Sequence, residues 1–300
     1  LIFVASVLLA ACGGSSTPTT LGQPSPSSAA SPSVIPLIVS SQQVVGTNRF
    51  VFSFLDASGN VPVASPDRTA SVAFIAPGQS QPGPATPATF VWAIEGSRGD
   101  YVATVEFTAA GDWKAVFITQ APGESQEAIG VDFQVQQTGV TLGIGAKAPS
   151  VVTPTAASVG GDLKRISTDP SPDPRFYQQS IADALAAHEP IVLVFATPAF
   201  CVSAQCGPTL DRVKAIASSV PDSVAFINVE PYQLAFKEGR LQPVLDAQGQ
   251  LQPVDAVNQF KLLSEPWIFT IDRDGVIRGS FEGVVGTDEL RAAIAQVEGS

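Results

Sequence analysis

Methionine is absent from the 300 residues, histidine occurs once and cysteine three times. Those scarcities exclude a multi-cysteine zinc module, a histidine-rich copper site and a methionine-lined copper or calmodulin-like groove. Basic residues are also few: 16 Lys and Arg stand against 27 Asp and Glu, a net charge of −11. The basic face that nucleic-acid binding requires is missing, so no nucleic-acid partner is expected. Charge of either sign is absent up to Asn48, and Arg49 is the first charged residue. What is present is a hydrophobic fraction of 45%, ample for packed cores. The length fits two domains at about 150 residues each.

The uncharged stretch has two parts. Residues 1–11 (LIFVASVLLAA) are an apolar run that ends in small residues and meets Cys12-Gly13-Gly14. The run is too short to cross a bilayer, which takes about 20 residues, and fits the apolar core of a secretory signal. No Met or basic region precedes it, so the chain is expected to begin inside that signal or at a mis-called start. Leu9-Ala10-Ala11-Cys12 resembles the bacterial lipobox. The resemblance implies cleavage before Cys12 and diacylation of its sulfur; two acyl chains suffice for stable anchoring. Residues 12–36, rich in Ser, Pro and Thr, cannot bury enough apolar area to offset their ordering entropy, and read as a tether. The expected partner is a lipid bilayer through Cys12, with the protein on the extracytoplasmic side of the cell membrane.

From residue 37 to 138 the period is two. Phe50, Phe52 and Phe54 alternate with Arg49, Val51 and Ser53, and Tyr101, Ala103, Val105 and Phe107 with Val102, Thr104 and Glu106. Turn clusters separate these runs at 57–60, 76–87 and 121–123. Short alternating strands with regular turns predict an antiparallel β-sandwich of the immunoglobulin type. The stretch from Gly99-Asp100-Tyr101 to Gly111-Asp112-Trp113 resembles the closing hairpin of small exported sandwich domains. The copper-binding ones use His and Met, and neither occurs here. Arg98-Gly99-Asp100 spells an integrin-type tripeptide, which a turn between strands explains better.

Over residues 139–300 the pattern changes. Asp173-Pro174 is placed to open a helical stretch to His188. Ile191–Phe195 is a continuous apolar run, as in a strand buried on both faces. Cys201 follows, then Cys206-Gly207-Pro208 and a helix with Leu210, Val213, Ala217 and Val220 on one face. Apolar runs at 224–229 and 267–271 read as strands, a turn at 272–275 leads into a return strand, and a helix closes the chain from Thr287. Strands alternating with helices predict an α/β layered domain.

This region resembles the thioredoxin-like superfamily. The likeness rests on a buried strand leading into a Cys pair at a helix start, on Glu265-Pro266 before a strand, on Ile271-Asp272-Arg273-Asp274-Gly275-Val276, and on the lead-in Gly145-Ala146-Lys147-Ala148-Pro149. The resemblance implies a multidomain chain whose β-sandwich is followed by an α/β thioredoxin-like domain. It also implies a cis-proline at Pro266, facing Cys201 and Cys206 and holding a substrate strand. Physically, an attacking thiolate needs positive potential nearby, and a helix N-terminus supplies it. The five-residue step allows the sulfurs to meet at a disulfide's Cα separation of about 4.4–6.8 Å.

Two features depart from that family. The pair is C-x4-C instead of C-x-x-C, and the family's buried acid falls at Val194. Either cysteine can then be the nucleophile, and a structural disulfide remains an alternative in an oxidising compartment. Copper chaperones of the same superfamily use a His before the terminal hairpin, where Ser264-Glu265-Pro266-Trp267 stands here. Thr197-Pro198 has the wrong spacing for a peroxidase, and Asp272, Asp274 and Gly275 lack the further ligands of a calcium loop. His188, alone, reads as a helix-end residue. The expected function is thiol–disulfide exchange on exported thiol or disulfide proteins through Cys201 and Cys206, with Pro266 beside them and no cofactor or metal. The alternative is a binding or assembly module, metallochaperone-like roles included, in which the disulfide is structural.

Overall fold

The period-two segments form strands that face each other in two sheets. They are β1 (Val34–Ile38), β2 (Gly46–Asp56), β3 (Thr69–Ile75), β4 (Thr86–Pro87), β5 (Thr89–Ile94), β6 (Arg98–Phe107), β7 (Gly111–Gln120) and β8 (Glu127–Val135). The sheets run β1-β2-β6-β5 and β4-β3-β7-β8, with every pairing antiparallel. The inward rings of Phe50, Phe52, Phe54, Phe107 and Phe117 are fully buried. They pack at angles, with Phe52 and Phe117 centroids 4.9 Å apart and Phe74 edge-on to Phe107 at 5.0 Å. Each such ring stabilises the sandwich by about 1.5–3 kcal/mol.

In this computed structural model the described residues are 31–299. Cys12, its apolar leader and the tether up to residue 30 lie outside them. Val34–Pro36, which composition placed in the tether, belongs to β1, where Val34 is buried and the strand pairs with β2.

The rest of the chain builds α1 (Ile181–Ala186), β9 (Ile191–Phe195), α2 (Cys206–Ala217), β10 (Ala225–Val229), β11 (Leu234–Lys237), β12 (Arg240–Pro243), α3 (Asp255–Phe260), β13 (Trp267–Ile271), β14 (Ile277–Glu282) and α4 (Thr287–Glu298). One sheet runs β10-β9-β13-β14, and β11 and β12 form a separate ribbon. All five residues of β9, β10 and β13 are buried.

These elements correct the expected fold class. Among the described residues the chain is mainly β: three four-stranded sheets, a two-stranded ribbon, and α-helices no longer than 12 residues. Of the strand pairings after residue 139, only β9–β10 is parallel; β13–β9, β13–β14 and β11–β12 are antiparallel. The α/β thioredoxin-like arrangement expected over 139–300 is therefore not the class of this structure. Capping gives part of the reason. Asp173 caps only a 3-10 turn at Pro174–Tyr177, and Ser180 opens a separate capping box. The helical stretch expected up to His188 thus shrinks to the six residues of α1.

The described residues from Pro32 onward form one compact unit, and the sandwich is joined to the C-terminal sheet by apolar and charged contacts. Val51, on the outer face of β2, packs with Ala93 and Val284 in a small buried cluster. Around it, the Arg49 guanidinium donates to the Glu289 carboxylate at 2.6 and 2.9 Å and to the Val284 carbonyl at 2.7 Å. Arg212 of α2 bridges the Trp92 carbonyl at 2.7 Å and the Val285 carbonyl at 3.0 Å. Arginine suits these joints because its fork of donors satisfies several acceptors at once.

Candidate functional site

The buried strand β9 ends at Phe195, and the chain then loops through Cys201 before α2 begins at Cys206. The two cysteines are joined as a disulfide with Cα atoms 5.9 Å apart. Between them Ala204 adopts φ 61°, the left-handed region that a side chain disfavours. The loop's own polar groups and its neighbours hold this turn. Ser203 Oγ lies 3.4 Å from Cys201 Sγ and donates to the Glu265 carbonyl at 3.3 Å. The Ser203 carbonyl accepts from Arg98 Nη1 of the sandwich at 3.0 Å.

The two sulfurs occupy different environments. Cys206 is fully buried at the first turn of α2, whereas Cys201 is partly exposed on the loop. The Cys206 backbone N–H points at Cys201 Sγ across 3.2 Å. This is one of the N–H groups that a helix start leaves without an intrahelical partner. Together with the macrodipole it favours negative charge on Cys201 sulfur.

Glu265 lies against this loop. The Glu265–Pro266 peptide bond is cis, and Pro266 is buried. Glu265 Oε1 accepts from the Val202 N–H at 3.0 Å, and Oε2 accepts from the Tyr232 hydroxyl at 2.7 Å. One carboxylate oxygen of Glu265 and both cysteine sulfurs lie within 4.8 Å of one another. Burial, with the Glu265 charge beside it, raises the Tyr232 phenol well above the usual tyrosine range, so Tyr232 is a fixed donor. Tyr232 also lines a cavity of about 340 Å³ with Val151, Val229, Leu234 and Val254.

A second acid lies behind the loop. Glu230, the residue after β10, is buried and accepts from the Thr168 N–H at 2.6 Å and the Thr168 hydroxyl at 2.8 Å. Thr168 Oγ1 in turn accepts from the Ala199 N–H at 3.2 Å, two residues before Cys201. Burial raises the Glu230 carboxyl to about 7, against the bonds from Thr197 and Thr168.

The structure thus brings Cys201 and Cys206 together and sets Glu265, the residue before cis-Pro266, on their loop. Sequence reasoning used Glu265 only to mark the proline, and it missed Tyr232, Glu230 and Arg98. No spacing signal ties Tyr232 or Arg98 to the cysteines, which stand far from them in the chain. Glu230-Pro231 directly after an apolar run was a readable sign of a strand-end acid. His188 stands apart from this cluster: its Nδ1 lies 3.1 Å from the Arg273 carbonyl.

No family model and no curated protein matches the chain. Among solved structures, a DUF4426 family protein from Pseudomonas aeruginosa matches at a TM-score of 0.26 and 12% identity, over 35% of this chain and 91% of that one. A likeness that slight carries no argument about fold or function.

Proposed function

We propose that the protein exchanges thiols and disulfides with other exported proteins through Cys201 and Cys206, while tethered to a membrane by acylated Cys12. The observation that carries the exchange reading is the asymmetry of the pair. Cys201 is partly exposed and receives the Cys206 N–H at 3.2 Å, while Cys206 is fully buried. The accessible sulfur meets the substrate, and the buried one resolves the intermediate.

In the reduced protein, the Cys201 thiolate attacks one sulfur of a substrate disulfide. The substrate's other sulfur leaves as a thiolate, and a mixed disulfide forms on Cys201. Cys206, having lost its proton to solvent, then attacks Cys201 sulfur. The second substrate thiolate departs, and the Cys201–Cys206 bond closes. Two electrons pass from the protein's dithiol to the substrate, and the same steps in reverse oxidise a substrate dithiol. The anion-favouring helix start stabilises the Cys201 thiolate as both attacker and leaving group.

The test combines potential and trapping. An exchange couple has a reduction potential above about −300 mV, whereas a lower value marks a structural staple. A Cys206→Ser variant accumulates the mixed disulfide on Cys201, read by mass, and a Cys201→Ser variant forms none. Trapping on Cys206 instead would overturn the role assignment. Lipid attachment is checked separately, by the mass of the N-terminal peptide and its partition into detergent.

A further inference from the structure

We infer that the reduced pair and Glu265 together form a binding site for a borderline divalent cation of the zinc class. The inference goes beyond exchange chemistry and shares with it only the premise that the disulfide opens. It rests on the meeting of three potential ligand atoms: Cys201 Sγ, Cys206 Sγ and a Glu265 carboxylate oxygen, all within 4.8 Å of one another. Among the described residues this is the group of Cys, His, Asp and Glu side chains brought to metal-binding distance.

The geometry suits a tetrahedral ion once the sulfurs part. Zinc–sulfur bonds of about 2.3 Å at a tetrahedral angle put two thiolates about 3.8 Å apart, and a carboxylate oxygen at about 2.0 Å completes a face. Cα atoms 5.9 Å apart accommodate that separation through side-chain rotation, because the cysteines lie on a loop and at a helix start. The fourth position is left for water or a partner's ligand, as in open zinc sites.

The surroundings favour this use. The Tyr232 hydroxyl and the Val202 N–H fix the Glu265 carboxylate at 2.7 and 3.0 Å, the role that outer hydrogen bonds play for ligating carboxylates. The start of α2 favours thiolate over thiol, as a metal ligand must be deprotonated. Two soft thiolates with one hard carboxylate match a borderline cation; Cu(I) would take the sulfurs and ignore the carboxylate. Binding displaces the two thiol protons to solvent and moves no electrons. Before binding, an exported dithiol must reduce the disulfide, becoming a disulfide itself. Metal and disulfide therefore exclude each other.

The experiment uses the full chain, reduced with a phosphine under anaerobic conditions and titrated with Zn²⁺ against a chromophoric chelator. One ion per chain is expected in the reduced protein and none in the oxidised one. Glu265→Gln should weaken binding at least tenfold, and Tyr232→Phe by a smaller factor. The Cys201→Ser/Cys206→Ser double variant, which keeps Cys12, gives the background. Co²⁺ in place of zinc should give the intense visible bands of a tetrahedral thiolate site. Uptake no greater than that of the double variant would overturn the inference. Equal affinity in the wild type, Glu265→Gln and Tyr232→Phe would overturn it too, leaving a bare dithiol. Neither result bears on the reduction potential, so exchange and metal binding fail separately.

Discussion

Arg98 Nη1 donates to the Ser203 carbonyl at 3.0 Å, so the sandwich grips the loop between the two cysteines. A charge-assisted bond of this kind contributes about 1.5–3 kcal/mol, and here it bears on a loop whose Ala204 sits at φ 61°. Arg98→Ala should free the loop: amides from Val202 to Gln205 exchange faster with solvent, and dithiothreitol opens Cys201–Cys206 several-fold faster. Hydrogen exchange read by mass and the reduction rate together check this. Unchanged rates for both would mean that the contact does not restrain the loop.

Arg49 and Glu289 make another joint between the sandwich and the C-terminal part, at 2.6 and 2.9 Å. Removing Arg49 deprives the Val284 carbonyl of its guanidinium donor and leaves the partly buried Glu289 carboxylate with the Gly286 N–H at 3.3 Å. Arg49→Ala should cost about 2–3 kcal/mol in urea unfolding. A double-mutant cycle with Glu289→Ala should return a coupling of at least about 0.5 kcal/mol. Additive effects would assign the loss to packing of the arginine stem over Phe281, whose ring centroid lies 5.7 Å from the guanidinium.

The interface also marks where the sequence stopped being readable. Period two in 50–54 and 101–107 placed Phe50, Phe52, Phe54, Tyr101 and Phe107 on an inner face, and all five are buried. The same alternation put Val51 outward, yet Val51 is buried against Val284, because a second layer covers that face. Nothing local in β2 announces a partner more than 200 residues away. The Cys201–Cys206 contact was legible from the five-residue step and the following helix start. Glu265 and Tyr232 were not, since their approach depends on how β13 and the chain after β10 are laid beside the loop. The fold class failed for a related reason. Apolar runs such as 224–229 and 267–271 announce strands, but not whether their neighbours run parallel or antiparallel.

Arg98-Gly99-Asp100 is a structural tripeptide in β6, with Gly99 and Asp100 buried. A Cβ on Gly99 would stand 2.2 Å from Phe90 Cε2 and Cζ, so no side chain fits while that ring stays. Gly99→Ala should therefore destabilise by about 1–3 kcal/mol through overpacking. Adding Phe90→Leu should recover part of the loss. Denaturant midpoints at unchanged m-value report both effects. An Ala variant as stable as the wild type would refute the close approach.

Glu230 gives the chain a pH dependence of definite sign. Burial raises its carboxyl from 4.5 to about 7, so between those values the folded state holds a proton that the unfolded chain has released. Stability from this group is then fully present below about 4.5 and falls as pH rises towards 7. The shift corresponds to at most about 3 kcal/mol. Glu230→Gln keeps an acceptor for Thr168 and removes the titration. The variant should gain on the wild type as pH rises, matching it near pH 4.5 and exceeding it by up to about 3 kcal/mol at pH 8. Urea unfolding of both proteins at several pH values gives the difference directly, and parallel stability curves would show that Glu230 titrates alike in the folded and unfolded chain. Thr168 binds both Glu230 Oε1 and the Ala199 N–H. Ionisation of Glu230 is therefore felt first in the segment leading into Cys201, and the reduction rate of the disulfide should change over the same pH range in the wild type but not in the Gln variant.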